Sequence, residues 1–377
     1  MWYYYLIVLT TYMLGDEISL EIKELKIGNL SLKIPIVQGG MGVGVSKSKL
    51  ASAVANMGGL GVISAIQIGY EEEDFETNND EANVRGLIKE IRKARELSPT
   101  GALGINMLSA ANNYKEMVLA AVKEKIDVII SGAGLPLTLP ELVKGSSSKI
   151  VPIVSSGKAA NLITKSWERK YDYLPDAVIV EGPLAGGHLG FKEGELREKT
   201  YMPLEEIVKD VLKALKPFEE KHNRQIPVIA AGGIYTGADI AKFLKLGAAG
   251  VQMGTRFVAT HECDAHENFK KAYIDSIAEK IGIIKSPLGM PGRAIKNEFI
   301  ERIEQEKEKI KKCYRCLSAC NPAEAPYCIS KALINSVTGN IKEGLIFTGE
   351  TAYRIDKIVS VKELIEELMS ELELAMS

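Results

Sequence analysis

A single histidine interrupts a glycine-rich stretch between Glu181 and Phe191, where the sequence reads EGPLAGGHLGF. Gly186 and Gly187 precede this residue, His188, and glycines let a backbone approach a ligand closely or adopt a positive φ. The chain has only four histidines, so one placed in such a loop is a candidate for chemistry. Because an imidazole can donate or accept a proton near neutral pH, His188 is a candidate for acid–base chemistry, although loops also contain histidines without a function.

Two further stretches combine glycines with polar groups in a way that suits an anion. The first, AAGGIYTGADI, contains Gly232 and Gly233 and runs into a predicted helix start, where free N–H groups and the helix dipole favour negative charge. The second, QMGTR, begins at Gln252 and adds the hydroxyl of Thr255 and the guanidinium of Arg256. Each motif alone could merely turn the chain at a strand end, but together they predict a phosphate site.

Four of the five cysteines fall in one segment with the spacing C-x2-C-x3-C-x7-C. Four thiolates so close in sequence could hold a zinc ion or an iron–sulfur cluster. Two alternatives stay open, because the cysteines could be small buried apolar side chains or two of them could pair under oxidation. The candidate metal ligands are Cys313, Cys316, Cys320 and Cys328.

The fifth cysteine, Cys263, lies between His261 and His266. The spacing H-x-C-x2-H matches no strong zinc pattern, so capping and packing roles are predicted for this stretch. A chain with so few cysteines outside one segment is not a disulfide framework of the secreted type. We therefore expect a reducing, cytoplasmic location.

A scaffold must position these candidates, and the chain contains short apolar runs that each end in small or polar residues. Continuous β-branched runs of this kind predict strands buried on both faces, as in a parallel sheet. Amphipathic helical patterns lie between them, for example from Val84 to Leu97. The eight runs are IPIVQGG, GVISA, ALGINML, DVIISGAG, KIVPIVSS, AVIVEG, IPVIAAGG and GVQMGTRF.

Eight successive strand–helix units predict an α/β fold of the (β/α)8 TIM barrel type, although the count alone leaves an open doubly wound sheet as an alternative. In such a barrel the carboxyl ends of the strands build the active site, and phosphate sites follow strands seven and eight. We expect residues 21–265 and a C-terminal helix at 360–377 to form the barrel. Residues 266–359 are predicted to be a helical lid carrying the cysteine segment, and residues 1–20 a non-structural N-terminal extension.

The overall composition is that of an ordinary globular protein. Of the 377 residues, 46% are hydrophobic and 25% are charged, which is enough for a sizeable core. The formal net charge of -2 gives no electrostatic reason to expect nucleic acid or an anionic membrane as a partner. The amphipathic segment SVKELIEELMSELELA near the end predicts a helix that packs on the barrel or on a second subunit, so a homodimer is one expectation.

The ordered set PIVQGGMG, GIN, VEGPLAGGHLGF, IPVIAAGGI and VQMGTRF resembles the nitronate monooxygenase family, formerly called 2-nitropropane dioxygenases. The FMN-dependent enoyl-ACP reductases are similar and share much of this set. The resemblance covers Ile34 to Asn297 and implies a barrel that binds FMN. His188 falls on the family's catalytic histidine, whereas Leu189 stands where many nitronate monooxygenases carry a basic residue.

The resemblance also implies which residues hold the FMN. Backbone groups of the QGGMG stretch would line the flavin, and Asn106 would hydrogen-bond the isoalloxazine edge. Glu181 stands where many family members have a glutamine. The implied FMN-binding residues are Gly39, Gly40, Met41, Asn106, Glu181, Gly186, Gly187, Gly232, Gly233, Gln252, Met253, Gly254 and Thr255.

Three functions stay open on these grounds. The first, favoured by the resemblance, is oxidation of alkyl nitronates by oxygen to a carbonyl compound and nitrite. The second is a reductase in which a nicotinamide reduces FMN, which then reduces an enoyl thioester or a quinone. The third is a flavin-binding sensor without turnover, in which replacing His188 would change nothing.

Overall fold

The computed structural model of the chain describes residues 22–377, and the extension expected at residues 1–20 lies outside the described residues. Each of the eight apolar runs forms a strand. The strands are β1 (Leu25–Ile27), β2 (Leu30–Leu32), β3 (Ile36–Gln38), β4 (Leu60–Ser64), β5 (Leu103–Leu108), β6 (Val128–Gly132), β7 (Lys149–Val154), β8 (Val178–Glu181), β9 (Gly187–His188), β10 (Val228–Ala231), β11 (Gly250–Met253), β12 (Ile281–Lys285) and β13 (Pro291–Ile295).

Strands β3 to β8, β10 and β11 form a closed parallel barrel, in which β11 pairs with β3 to complete the ring. This confirms the predicted (β/α)8 fold and excludes the open sheet. Apolar side chains such as Val37, Val62 and Ile179 fill the barrel interior, and Leu25 and Ile27 of the β1–β2 hairpin pack against them from the amino-terminal end. The open end of the barrel is therefore the carboxyl-terminal one.

Helices surround the barrel, and two of them begin with capping boxes. Helix α8 (Gly237–Lys245) starts with the reciprocal bonds of Thr236 and Asp239, and α13 (Val361–Met376) starts with those of Ser360 and Glu363. The apolar stripe of α13 packs against α8 and α1, so this helix belongs to the barrel wall of its own chain. The helices are α1 (Ser48–Asn56), α2 (Asn79–Leu97), α3 (Tyr114–Lys123), α4 (Leu139–Leu142), α5 (Gly157–Tyr171), α6 (Glu193–Glu198), α7 (Leu204–His222), α8 (Gly237–Lys245), α9 (Thr255–Val258), α10 (Glu267–Ile274), α11 (Glu298–Gln305), α12 (Ile329–Val337) and α13 (Val361–Met376). No helix within residues 22–377 is long and apolar enough to cross a bilayer.

The segment predicted as a helical lid, residues 266–359 and hereafter the insertion, contains an antiparallel hairpin as well as helices α10, α11 and α12. This hairpin, β12–β13, was not predicted from the sequence. Strand β13 also pairs with β9, so that Gly292 lies opposite His188 and Arg293 opposite Gly187. The insertion is thereby joined to the His188 loop by a three-stranded sheet.

Candidate active site

One cavity of about 560 Å³ opens at the carboxyl-terminal end of the barrel, between the strand-end loops and the insertion. A volume of this size is typical of small-molecule and cofactor sites. Every residue proposed above for catalysis or FMN binding lines this cavity. These residues are Gly39, Gly40, Met41, Asn106, Glu181, Gly186, Gly187, His188, Gly232, Gly233, Gln252, Met253, Gly254 and Thr255.

Glycines on the barrel side of the cavity stand where the surrounding protein leaves little room for a side chain. A Cβ atom on Gly40 would come within 2.4 Å of Asn106 Cβ, so a larger residue there must displace its neighbour. Gly232 and Gly233 have φ values of +100° and +81°, a region that residues with a Cβ atom rarely adopt. The strand-end loops therefore present backbone to the cavity, against which a flat ring system can lie.

Gln252 supplies a polar atom that the protein leaves without a partner. Its side-chain oxygen is buried and accepts no hydrogen bond from any residue in the range 22–377. An unsatisfied buried acceptor costs roughly 1–3 kcal/mol. A ligand N–H group placed against this oxygen would remove that cost, and the ring system of a flavin carries such a group. The glycine-lined wall and this oxygen together fit the cofactor that the sequence implies.

The start of α8 does not offer the anion site predicted from the sequence. Carboxylates already occupy its first N–H groups. Asp239 accepts from the N–H groups of Tyr235 and Thr236 at 3.0 and 2.9 Å, and Glu371 of α13 accepts from that of Gly237 at 2.6 Å. Two negative charges at this position repel a phosphate. An anion at this end of the cavity must instead bind to the loops that directly follow β10 and β11.

Arg256 does not face the cavity, so the prediction that it neutralises a phosphate is wrong. Its guanidinium donates to the Tyr235 carbonyl at 3.0 Å, pairs with Glu367 of α13 at 2.9 Å and stacks over the Tyr235 ring at 4.5 Å from the centroid. The charge of Arg256 therefore serves the packing of α13 on the barrel. Backbone N–H groups and the Thr255 hydroxyl remain as donors for an anion on this side.

His188 lies on β9, between the strand-end loop and the hairpin. Its Nε2 atom is 2.6 Å from Ser286 Oγ, and its ring meets that of Phe347 edge-on with the centroids 5.1 Å apart. Burial lowers the pKa of His188 to about 4, because the charged form would lose its hydration. The ring is therefore neutral at pH 7 and carries one N–H group.

Glu181 ends β8 and is the one acidic side chain that lines the cavity within residues 22–377. Burial raises the pKa of Glu181 to about 8, since removal from water disfavours the carboxylate. The carboxyl group is therefore mainly protonated at neutral pH and has an O–H to donate. Together with His188 it gives the cavity two uncharged donors.

Arg293 fixes the loop that leads to His188. Its side chain is 3% exposed, and Nη1 donates to the carbonyls of Pro183 and Ala185 at 2.7 and 2.6 Å. Its Nε atom lies 2.8 Å from a carboxylate oxygen of Glu350. These partners all belong to the protein, so the guanidinium holds the loop and does not reach a substrate.

The insertion covers the cavity with apolar side chains from several of its segments. Leu317 lies within the cysteine segment, next to Cys316. The segment that carries Leu317 is joined to the barrel loop after β5 by a bridge to Ala111. The apolar and aromatic residues are Phe269, Tyr273, Met290, Leu317, Ile329, Leu333, Leu345 and Phe347.

The four clustered cysteines do not form the predicted metal site. Within residues 22–377, no group of three or more His, Cys, Asp or Glu side chains is arranged to hold a metal ion. Burial raises the pKa of Cys316 to about 11 and also raises the pKa of Cys320 and Cys328. Cys313, Cys316, Cys320 and Cys328 are all free thiols, and Cys316 lines the cavity beside Leu317.

Comparison with known proteins gives one family and several relatives. The family model described as nitronate monooxygenase matches residues 23–371. A Mycobacterium tuberculosis protein named (3aS,4S,5R,7aS)-5-hydroxy-7a-methyl-1-oxo-octahydro-1H-indene-4-carboxyl-CoA dehydrogenase is 25% identical over 372 residues, covering 90% of this chain and 93% of its own. A Staphylococcus aureus protein named "Probable nitronate monooxygenase" is 27% identical over 301 residues, covering 73% of this chain and 79% of its own.

Among the solved structures, two enzymes share the fold of this chain. FabK from Thermotoga maritima superposes with a TM-score of 0.70 and 28% identity, over 91% of this chain and 94% of that one. A nitroalkane oxidase from Streptomyces ansochromogenes gives a TM-score of 0.70 over 91% of this chain and 97% of that one. Because the identity to the second is 22%, it supports the fold alone.

Proposed function

The chain belongs to the nitronate monooxygenase family, a family of flavin-dependent oxidoreductases, and on that premise we propose that it binds FMN and oxidises alkyl nitronates with oxygen to a carbonyl compound and nitrite. The observation that carries the proposal is the pair of uncharged donors in the cavity, the imidazole of His188 and the carboxyl of Glu181. The family assignment supports an oxidoreductase, and the two uncharged donors support an anionic alkyl nitronate as its substrate.

FMN rather than a larger flavin is proposed because the motifs that resemble the family imply FMN. Gly39, Gly40 and Gln252 would lie along the ring system, and the loops at Gly233 and Thr255 would hold the phosphate. When bound, FMN supplies the electron transfer that the amino-acid side chains of the cavity cannot supply. The tasks left to the protein are to bind the substrate, to orient it and to exclude water.

A nitronate arrives at the cavity already deprotonated, so the protein does not need to remove a proton. It needs groups that replace the hydration of the anion, because a buried charge without hydrogen bonds is costly. A neutral His188 donates from its N–H, and a protonated Glu181 donates from its O–H. An ionised Glu181 would instead repel the substrate, so its raised pKa favours nitronate binding.

The test is anaerobic mixing of FMN-loaded protein with an alkyl nitronate, and separately with NADH and with NADPH, while the flavin absorbance is followed. We expect bleaching by the nitronate alone and release of nitrite when air is admitted. Bleaching by a nicotinamide alone would reject nitronate oxidation in favour of a reductase. Bound FMN with no bleaching by any of these donors would favour a sensor without turnover.

A second candidate, reduction or dehydrogenation of a thioester, is favoured by the apolar cover over the cavity. Leu317, Leu333 and Phe347 would suit an acyl chain, and two of the relatives are a CoA-ester dehydrogenase and FabK. It ranks second because the family model that matches residues 23–371 is described as nitronate monooxygenase. Oxidation of NADH that depends on an added enoyl thioester would select it.

A further inference from the structure

Ser286 begins the turn SPLG that joins β12 to β13. Its carbonyl accepts from the Gly289 N–H at 3.0 Å, and its side-chain oxygen accepts from the Leu288 N–H at 3.2 Å. The residue is 7% exposed, and the turn holds its oxygen 2.6 Å from His188 Nε2. The insertion therefore supplies a fixed hydroxyl to the histidine of the barrel loop.

The hydrogen bonds around this hydroxyl decide where the imidazole proton lies. A serine hydroxyl has one proton to donate and two positions at which it accepts. The Leu288 N–H takes one accepting position, and within residues 22–377 His188 Nε2 is the one acceptor to which the hydroxyl could donate. If Nε2 carried a proton, both Nε2–H and the Leu288 N–H would donate to Ser286 Oγ. The buried hydroxyl proton of Ser286 would then have no acceptor, which is unfavourable.

We propose that Ser286 is a positioning residue that donates to Nε2 of His188 and thereby fixes the tautomer with the proton on Nδ1. Nδ1 makes no hydrogen bond to any residue in the described part of the chain, while the ring lines the cavity. The Nδ1–H group is then the donor that a ligand meets. The role of this donor in turnover rests on the proposed function, whereas the tautomer does not.

The tautomer can be measured directly in the FMN-loaded full-length protein at pH 7.5. Protein labelled with ¹⁵N in its histidines gives side-chain correlations that distinguish a protonated from a bare ring nitrogen, and His188→Gln identifies the signals of His188 by their loss. We expect a bare Nε2 and a protonated Nδ1. A protonated Nε2 in the native protein would overturn the proposal.

Three variants separate the donor from a purely structural effect. Ser286→Ala removes the hydroxyl and should shift His188 toward the Nε2–H form, while Ser286→Thr retains the hydroxyl and should retain the native form. Ser276→Ala is the matched control, because Ser276 is also 7% exposed and its hydroxyl donates to the Tyr273 carbonyl at 2.7 Å. A native tautomer in Ser286→Ala would overturn the proposal, and should that variant fail to fold, the native and Ser286→Thr spectra still decide it.

Turnover of an alkyl nitronate gives the functional readout. With FMN content unchanged, Ser286→Ala should lower kcat by about tenfold, the effect of one hydrogen bond on the orientation of the ring, and Ser286→Thr should restore most of it. An unchanged kcat in Ser286→Ala would contradict the positioning role. If the native protein oxidises no nitronate, the proposed function fails while the spectra still test the tautomer.

Discussion

The strand-end loops of the barrel and the insertion at residues 266–359 face each other across one cavity but offer it different groups. The loops offer backbone at glycines such as Gly40 and Gly233, together with the polar side chains of Gln252 and Glu181. The insertion offers side chains, among them Phe347 and the hydroxyl of Ser286 next to His188. We infer that the barrel holds the cofactor and the insertion selects and orients the substrate.

His188 is the residue at which the two regions meet, and its removal should give the largest effect. His188→Ala should lower kcat for nitronate oxidation by about 10²–10⁴-fold, because a positioned donor at the reacting centre is lost. FMN should remain bound, since the ring does not belong to the glycine wall. Steady-state nitrite release and the FMN content of the purified variant check this, and loss of FMN would make His188 a structural residue.

A change in the barrel wall should affect the cofactor first. Gly40→Ala places a Cβ atom 2.4 Å from Asn106 Cβ, and the forced shift should weaken FMN binding by about 10–100-fold. Quenching of FMN fluorescence on titration measures the Kd. Gly194→Ala is the control, because an added Cβ there meets no atom within 4 Å. Equal FMN affinity in both variants would contradict the role given to the wall.

Arg293 connects the insertion to the strand-end loop that leads to His188, and its replacement tests this connection. Arg293→Met removes the bonds to the carbonyls of Pro183 and Ala185 and the ion pair with Glu350. We expect the free energy of unfolding to fall by about 2–3 kcal/mol, because bonds to charged groups contribute at that level. Lys280→Met is the control, since it breaks an exposed pair with Glu301 and should cost about 0–1 kcal/mol. Urea denaturation of both variants measures the two losses in the free energy of unfolding, and equal losses would contradict the role given to Arg293.

The smallest expected effect concerns the charge of Glu181. As the pH rises through about 8 this carboxyl loses its proton, and the resulting carboxylate should raise the KM for an anionic nitronate several-fold. Glu181→Gln keeps the shape and cannot ionise, so its KM should stay level across the same pH range. Initial rates from pH 6 to pH 9 provide the comparison. A parallel rise of KM in both proteins would assign the pH dependence to another group.

The barrel could be predicted because the sequence patterns that indicate it involve residues close together in the chain. Each strand is a short apolar run, the capping box of Thr236 and Asp239 lies within four residues, and the cavity-lining glycines follow the strands directly. The family resemblance added the order in which these motifs occur. No part of this required knowledge of distant segments.

The failures came from contacts between distant parts of the chain. Arg256 was expected at a phosphate, but it forms an ion pair with Glu367 of α13. Glu371 of the same helix accepts a hydrogen bond from the N–H group of Gly237. The pairing of β13 with β9 joins segments about one hundred residues apart through two residues only. Such short, long-range pairings leave no periodic pattern in a sequence, which is why Ser286 was not foreseen.

The division between a cofactor wall and a substrate cover is tested most directly by measuring the FMN Kd and the nitronate KM of one variant, Phe347→Ala. This change truncates the apolar side chain that packs edge-on against His188 and leaves the glycine wall untouched. The account predicts an FMN Kd within about twofold of the native value and a KM raised by about tenfold, the effect of one lost apolar contact surface. A weakened FMN Kd with an unchanged KM would contradict it.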